Sequence, residues 1–296
     1  MPIRELVGAF LVAAPFLVGW SQAPGDAGKA AFRFEDREIV ESSGLVATRE
    51  HVLTVNDSGD TGRVFVVDRR TGETVGVTRW ADDPVDVEAL APAGEGHVWV
   101  GDIGDNGGSR DSVQVVRVPF GEGERTVSEP AVDLAYRGGA RDAEALLAHP
   151  RTGRLYVVTK GVLAGEVHEA PADLTTAGSH RMRRIARVAG IVTDGAFFPD
   201  GRHLVLRTYG RAVVHAFPSM EEIGSWDLPD QEQGEGVAVD LDGSLLLSSE
   251  GQRAEVLRVE VPARIVRRMA EDNSDGAADA TADVTLWGLL ATLFSR

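Results

Sequence analysis

Short apolar runs separated by turn signals fill residues 31–262 and predict β-strands rather than helices. A typical unit is GVAVDLDGSLLLSSE at 236–250, in which two apolar runs flank an Asp-Gly turn. The same hairpin recurs in four further stretches, at 44–57, 89–102, 145–160 and 195–209. Five copies of one hairpin indicate a repeat architecture.

The copies recur at the spacing of propeller blades. Each hairpin follows a polar position, and these reference residues are Ser43, Glu88, Glu144, Asp194 and Glu235. They are 45, 56, 50 and 41 residues apart, which is the length of one four-stranded blade. The sequence therefore predicts an all-β protein, a five-bladed β-propeller at 31–262.

The first and last strands of this domain predict how the ring closes. The fifth repeat has only three candidate strands, and an unassigned run, AFRFEDREI at 31–39, precedes the first repeat. If this N-terminal strand is the outer strand of the last blade, the ring is closed and two sheet edges are removed. The alternative is six blades, which requires a degenerate repeat inside 89–141.

The two termini predict segments outside the propeller. Residues 1–23 have the charged, apolar and small-residue regions of a signal peptide; because Pro24 would follow the cut, an uncleaved anchor is the alternative. Residues 263–283 predict an acidic disordered linker. The apolar segment at 284–296 is shorter than the roughly 20 residues of a membrane helix. We expect a secreted or cell-surface protein that contacts membranes only through its termini.

Charge and cysteine content exclude several classes of function. The formal charge of −16 argues against a nucleic-acid partner, which needs a basic surface. The chain contains no cysteine, so disulfides, thiolate metal sites and cysteine nucleophiles are excluded. A metal in this chain would therefore be held mainly by oxygen atoms.

The propeller topology predicts that acidic residues converge at one mouth of the central channel. The first strand of each blade starts at that mouth, and the second strand returns to it. Converging carboxylates repel one another unless they are protonated or bridged by a cation, and oxygen ligands suit calcium. We predict a calcium site formed by Ser43, Glu88, Glu144, Asp194 and Glu235. The alternative is that these acids cap strands, bond backbone amides or pair with arginines.

The ends of the second strands predict residues that contact a ligand. Basic and amide side chains at these ends, together with Arg141 at the start of the third repeat, favour a small anionic molecule such as a phosphate ester; they are Asn56, Arg141, Lys160 and Arg207. Asp102 or Glu250 is the candidate for orienting or deprotonating an attacking water. The alternative is that the basic residues only balance the glutamates. The loops NDSGDTG and GDIGDNGG are either further calcium loops or ordinary turns.

A set of short motifs in fixed order resembles a widespread group of secreted bacterial β-propellers. These motifs are NDSGDTG, DVEALA, GDIGDN, RDAEALL, VVTKG, VTDGAFFPDG and GEGVA with SSEG. The chain is more distantly similar to the soluble calcium-activated nucleotidases, or apyrases, and to phytase-like and lactonase-type propellers. The nucleotidase resemblance implies an axial calcium ringed by Ser and Glu at the same five positions, although Asp194 stands where that family has serine. The basic residues that bind nucleotide in that family have no clear match.

Two functions from different classes follow from these observations. The first is a calcium-binding propeller that binds a small anion at its mouth and acts as a metal-assisted hydrolase of phosphoesters, other esters or lactones. The second is a non-catalytic extracellular propeller with a structural calcium, whose rim binds a protein or glycan. The fold accommodates both, so the residues at the mouth must distinguish them.

Overall fold

Five mainly antiparallel β-sheets are arranged as propeller blades in the computed structural model, which describes residues 28–57, 59–80 and 83–273. We number the blades by their inner hairpins along the chain. Blade 1 contains β2 (Ser42–Ala47), β3 (His51–Asn56), β4 (Arg63–Asp68) and β5 (Thr74–Trp80), and blade 2 contains β6 (Val87–Pro92), β7 (His97–Asp102), β8 (Val113–Pro119) and β10 (Ala131–Ala135). Blade 3 contains β11 (Ala143–Ala148), β12 (Leu155–Thr159), β13 (Ala164–Glu169) and β15 (Arg183–Ala189), and blade 4 contains β16 (Val192–Phe197), β17 (His203–Thr208), β18 (Arg211–Ala216) and β19 (Glu222–Asp227). Blade 5 contains β20 (Gly234–Val239), β21 (Leu245–Ser249), β22 (Glu255–Val259) and β1 (Lys29–Arg33).

The hydrophobic core lies between neighbouring blades. Five apolar clusters are present among the described residues, and each joins two adjacent blades. The cluster between blades 5 and 1 includes Phe32, Phe34 and Leu45, and the cluster between blades 2 and 3 includes Leu146. The inner strands are buried on both faces, which explains why their sequences are almost continuously apolar.

The N-terminal strand is part of the last blade in the chain. β1 pairs antiparallel with β22 and is the outer strand of that sheet, with Phe32 buried against the core. The turns of the inner hairpins use glycine where the backbone needs positive φ, at Gly201 (63°) and Gly243 (86°).

Two short strands cross from one blade to the next. β9 (Gly123–Val127) pairs parallel with β5 and adds a fifth strand to blade 1. β14 (Ser179–Arg181) pairs parallel with β10 and adds a fifth strand to blade 2. The long interval 89–141 therefore contains a strand that pairs with blade 1, and its described residues form no further sheet besides that of blade 2.

A helix at residues 263–273 follows blade 5, where the sequence predicts the start of a disordered linker. Ile265 is buried in the core between blades 4 and 5, and Arg264 and Arg268 donate to the carbonyl oxygens of Ser225 and Ile223. That prediction was wrong for this stretch because Ile265 anchors the helix against β19.

The predicted signal peptide or anchor and the apolar C-terminal segment lie outside the described residues. No helix within the described ranges is long and apolar enough to cross a membrane.

Candidate functional site

The inner hairpin of every blade has the same pairing register at one end of the channel. Within each blade, the last residue of the second strand pairs with the first residue of the first strand. Directly after this pair the register of the first strand shifts, and we call this bulge-like break in the pairing the irregularity. These pairs are Ser42 with Asn56, Val87 with Asp102, Ala143 with Thr159, Val192 with Thr208, and Gly234 with Ser249. The register therefore defines equivalent positions in all five blades.

Three positions per blade surround this end of the channel, which we call the mouth. The position within the irregularity of the first strand holds Ser43, Glu88, Glu144, Thr193 and Glu235. The position after the second strand holds Asp57, Ile103, Lys160, Tyr209 and Glu250. The position before the first strand holds Glu41, Asp86, Asp142, Ile191 and Gln233. Eight carboxyl groups and one ammonium group occupy these fifteen positions, so the mouth is strongly acidic, and blade 4 is its uncharged sector.

The register corrects one predicted metal ligand. Thr193, rather than Asp194, is the equivalent of the glutamates, and its hydroxyl donates to the Glu235 carbonyl (3.0 Å), as the Ser43 hydroxyl donates to the Glu88 carbonyl (2.6 Å). The fully buried Asp194 carboxylate instead accepts the backbone amides of Gly195 and Val237, both at 2.7 Å. Burial raises the pKa of Asp194 well above its usual range, against the effect of these hydrogen bonds. Asp194 therefore connects blade 4 to blade 5.

Three carboxylates from blades 1 and 2 form the tightest acidic group at the mouth. One oxygen each from Asp57, Asp86 and Glu88 lie within 4.8 Å of one another. Burial, followed by the charges of Glu144 and Asp57, raises the pKa of Glu88 to about 11. Burial and the charge of Asp57 also raise the pKa of Asp86. Burial and the neighbouring carboxylates therefore disfavour the ionised forms of Asp86 and Glu88.

The backbone beside this group leaves space for it only because residue 104 is glycine. A Cβ atom on Gly104 would lie 2.4 Å from Asp86 Oδ2 and 2.7 Å from Glu88 Oε1. The Gly104 amide also donates to the Asp86 carbonyl (3.1 Å). The donors are all hard oxygen atoms, which fits calcium better than a transition metal. Of the predicted metal ligands only Glu88 belongs to this group, which lies between blades 1 and 2.

Glu144 is paired with Lys160 inside blade 3. The Lys160 ammonium nitrogen lies 2.5 Å from Glu144 Oε1, and the two side chains are 30% and 4% exposed. Burial raises the pKa of Glu144 to about 7, and Lys160 opposes that rise. Burial alone would lower the pKa of Lys160, but the Glu144 carboxylate outweighs it and holds that pKa above its ordinary value. Lys160 therefore occupies the mouth as a charged group.

Glu235 and Glu250 form the acidic sector of blade 5. Gln233 donates to one carboxylate oxygen of each, and Glu235 Oε2 is buried with no hydrogen-bond partner among the described residues. Burial and the charge of Glu144 raise the pKa of Glu235 to about 8. Burial and Glu41 raise the pKa of Glu250 to about 7. An unpartnered buried carboxylate oxygen is a position at which a cation or a donor is expected.

Two of the predicted anion-binding arginines do not face the mouth. Arg207 is completely buried and donates to the carbonyls of Gly236 (2.6 Å) and Ser248 (2.8 Å). Burial lowers its pKa to about 10. Arg141 lies at the outer side of blade 3, where it donates to Glu166 (3.3 Å). The predicted basic half-ring is therefore reduced to Lys160.

The side chains that end the second strands hold the preceding loops in place. Asn56 Oδ1 accepts the amides of Val40 and Glu41, and it is 4% exposed. Asp102 accepts the amides of Val85 and Asp86 in the same way.

Asp102 also accepts a hydrogen bond from the Arg110 guanidinium (2.6 Å). Three donors, two backbone amides and the Arg110 guanidinium, therefore occupy both oxygen atoms of the Asp102 carboxylate, and neither is free for a catalytic water. Asn56 likewise contacts protein rather than ligand.

The two glycine-rich loops are ordered mainly by their own acids. Asp105 accepts the amides of Ser109 and Arg110, and Asp60 pairs with Arg63 at 2.8 Å. Both loops therefore have the hydrogen bonding of ordinary turns. Asp57, at the start of the first loop, is the exception, because its carboxylate reaches the acidic group at the mouth.

Nine of the fifteen mouth positions are absent from the predicted site: Glu41, Asp57, Asp86, Ile103, Asp142, Ile191, Thr193, Tyr209 and Gln233. The sequence signal for Asp86 is the Asp-x-Glu pattern at 86–88, and Asp57 directly follows the second strand of blade 1. A comparison with protein-family models finds no match to this chain, and a comparison with curated proteins finds none either. Functional assignment therefore depends on the geometry of the mouth.

Proposed function

We propose that the protein is a secreted calcium-binding propeller whose mouth binds a small anionic ligand through the bound cation. The observation that carries this proposal is the convergence of Asp57, Asp86 and Glu88 within 4.8 Å beside Gly104. Ionised carboxylates at this distance repel strongly, and a divalent cation removes that repulsion. The proposed resemblance to calcium-dependent propellers agrees with this choice of metal.

Neutralisation by the metal is necessary for any anionic ligand here. The mouth positions carry eight carboxyl groups, and Lys160 is the single basic residue among them. A bound calcium ion offsets most of the negative charge of the three carboxylates beside Glu88 and offers an anionic oxygen a direct position as a ligand. The pairing of β1 with β22 fits the inference that the N-terminal strand closes the ring and holds blades 5 and 1 together around this site.

Hydrolysis of phosphoesters, other esters or lactones is the activity that this arrangement favours. Bound calcium would polarise a substrate oxygen. Among the protein's own groups, the Lys160 ammonium would bind a negatively charged oxygen of the substrate. Glu250, with its pKa raised to about 7, can accept or hold a proton near neutral pH.

The exposed apolar residues near the mouth favour the second function, a non-catalytic binding propeller. Val162 and Leu163 are 85% and 90% exposed on the loop that directly follows Lys160. Apolar side chains this exposed on a loop tip suit contact with an extracellular protein or glycan. In that function calcium would stabilise the fold and order the rim.

Calcium titration of the metal-free protein tests the proposed site. We expect saturable binding by isothermal titration calorimetry and a higher melting temperature with calcium. Asp86→Asn should weaken binding at least tenfold, whereas Asp173→Asn, the same change at an exposed residue, should not. Absence of binding by the wild type would refute the proposal.

A substrate panel then separates the two functions. It contains chromogenic phosphate monoesters, phosphodiesters, carboxyl esters and a lactone, each assayed with and without calcium. Calcium-dependent turnover that Glu250→Gln reduces supports the hydrolase. Calcium binding without turnover of any substrate supports the binding propeller.

A further inference from the structure

Blades 2 and 3 present the same pair of carboxylates at the mouth. Asp86 and Glu88 in blade 2 match Asp142 and Glu144 in blade 3, both by the Asp-x-Glu pattern and by strand register. Each pair has one residue before the first strand and one in its irregularity. Two cation-binding positions of similar design are therefore expected.

The two pairs differ in the residue contributed by the preceding blade. Asp57 follows the second strand of blade 1 and completes the group around Asp86 and Glu88. The equivalent residue of blade 2 is the apolar and fully buried Ile103, which cannot coordinate a metal. The pair in blade 3 therefore lacks its third carboxylate.

A lysine is the cation at the second pair. Lys160 Nζ lies 2.5 Å from Glu144 Oε1, and the charge of Asp142 also favours the ammonium form. The lysine amide donates to the Asp142 carbonyl (2.9 Å), as the Asp57 amide donates to the Glu41 carbonyl (3.0 Å). The backbone therefore presents Lys160 in the same way as it presents Asp57.

The influence of this ammonium group extends across the channel. It lowers the pKa values of Glu88, Glu235 and Glu250, which belong to two other blades. Glu235 Oε2 is buried on the same ring of positions as Glu144 and has no hydrogen-bond partner in the part of the chain that the structure describes, so an oxygen atom beyond the Glu144 pair is available to a cation.

We propose that Lys160 is a built-in cation that takes the place of a second metal ion. The wild-type chain then binds one calcium ion, beside Glu88. Replacing the lysine by a neutral residue creates a second calcium site at Asp142 and Glu144. This inference rests on the proposed function. A compact ammonium group suits the role because it approaches a carboxylate as a point charge, whereas a guanidinium requires a planar fork of acceptors.

Calcium stoichiometry measured by equilibrium dialysis and calorimetry tests the inference. We expect one ion per wild-type chain and two per Lys160→Gln chain. The control is Lys29→Gln, which neutralises the only other lysine of the chain on the exposed outer strand of blade 5 and should still bind one ion. Adding Glu144→Gln to Lys160→Gln should return the count to one.

The possible outcomes separate the two proposals. One ion in both wild type and Lys160→Gln overturns the inference and leaves the first site intact. No ion in the wild type but one in Lys160→Gln supports the built-in cation and overturns the proposed function. If Lys160→Gln is unfolded by circular dichroism without calcium, recovery of the fold in calcium supports the inference, and failure to recover overturns it.

Discussion

Replacing Arg207 by methionine tests whether this arginine stabilises the fold or binds a ligand. The side chain is completely buried and donates to the carbonyls of Gly236 and Ser248 and to the side chain of Gln231. It also supplies positive charge near the buried Asp194. Methionine fills much of the same volume but removes all of these donors and the charge.

The contacts give the expected size of the effect. Each buried carbonyl that loses its donor costs about 1–3 kcal/mol. Breaking a buried charge pair by removing one partner costs about 3–5 kcal/mol, and the two effects overlap because one guanidinium supplies both. We therefore expect the free energy of unfolding to fall by about 4 kcal/mol for Arg207→Met, out of the roughly 5–15 kcal/mol typical of a domain.

Urea denaturation followed by tryptophan fluorescence measures this loss. The matched control is Arg211→Met in the neighbouring strand, where the arginine is half-exposed and pairs with Asp227. An exposed pair of this kind contributes about 1 kcal/mol or less. If Arg207→Met unfolds within about 1 kcal/mol of the wild type, the structural role is refuted and ligand binding by Arg207 becomes the better explanation.

Three further changes have defined outcomes. Gly104→Ala should reduce calcium affinity at least tenfold in calorimetry, because the new Cβ would lie 2.4 Å from a carboxylate oxygen, whereas Gly107→Ala, whose Cβ has no neighbour closer than 3.6 Å, should not. Ile265→Ala should lower stability by about 2–4 kcal/mol and speed hydrogen exchange in β19, whereas Val266→Ala at the exposed position beside it should do neither. Because burial and a neighbouring glutamate raise the pKa of Glu235 to about 8, the folded state binds more protons than the unfolded state between about pH 5 and pH 8. The melting temperature of the metal-free protein should therefore fall as pH rises through this range, and Glu235→Gln should reduce that slope; an unchanged slope would contradict the shifted pKa.

The apolar periodicity of the chain was sufficient to predict the blades. The inner hairpins are buried on both faces, so their apolar runs and glycine turns are visible in the sequence. The exchanged strands β9 and β14 were not predicted, because their parallel pairing depends on which blade lies next to them in space. The helix at 263–273 was missed because the acidic residues that follow it extended the predicted linker back to 263, over the buried Ile265.

The candidate site was predictable only to within one or two residues. The irregularity in each first strand shifts the register, so Thr193 rather than Asp194 faces the mouth. Arg207 lies one residue before the end of its strand, whereas Lys160 lies one residue after the end of its own, and this offset places the arginine in the core. Spacing along the sequence identified the correct ends of the strands, but the direction of each side chain depends on that register.

The most direct test of the central claim is a crystal structure of the protein with terbium in place of calcium, located by anomalous scattering. The proposed site predicts one strong peak within about 2.3–2.6 Å of carboxylate oxygens from Asp57, Asp86 and Glu88. A peak on the channel axis between Glu144 and Glu235, or no peak at the mouth, would contradict it.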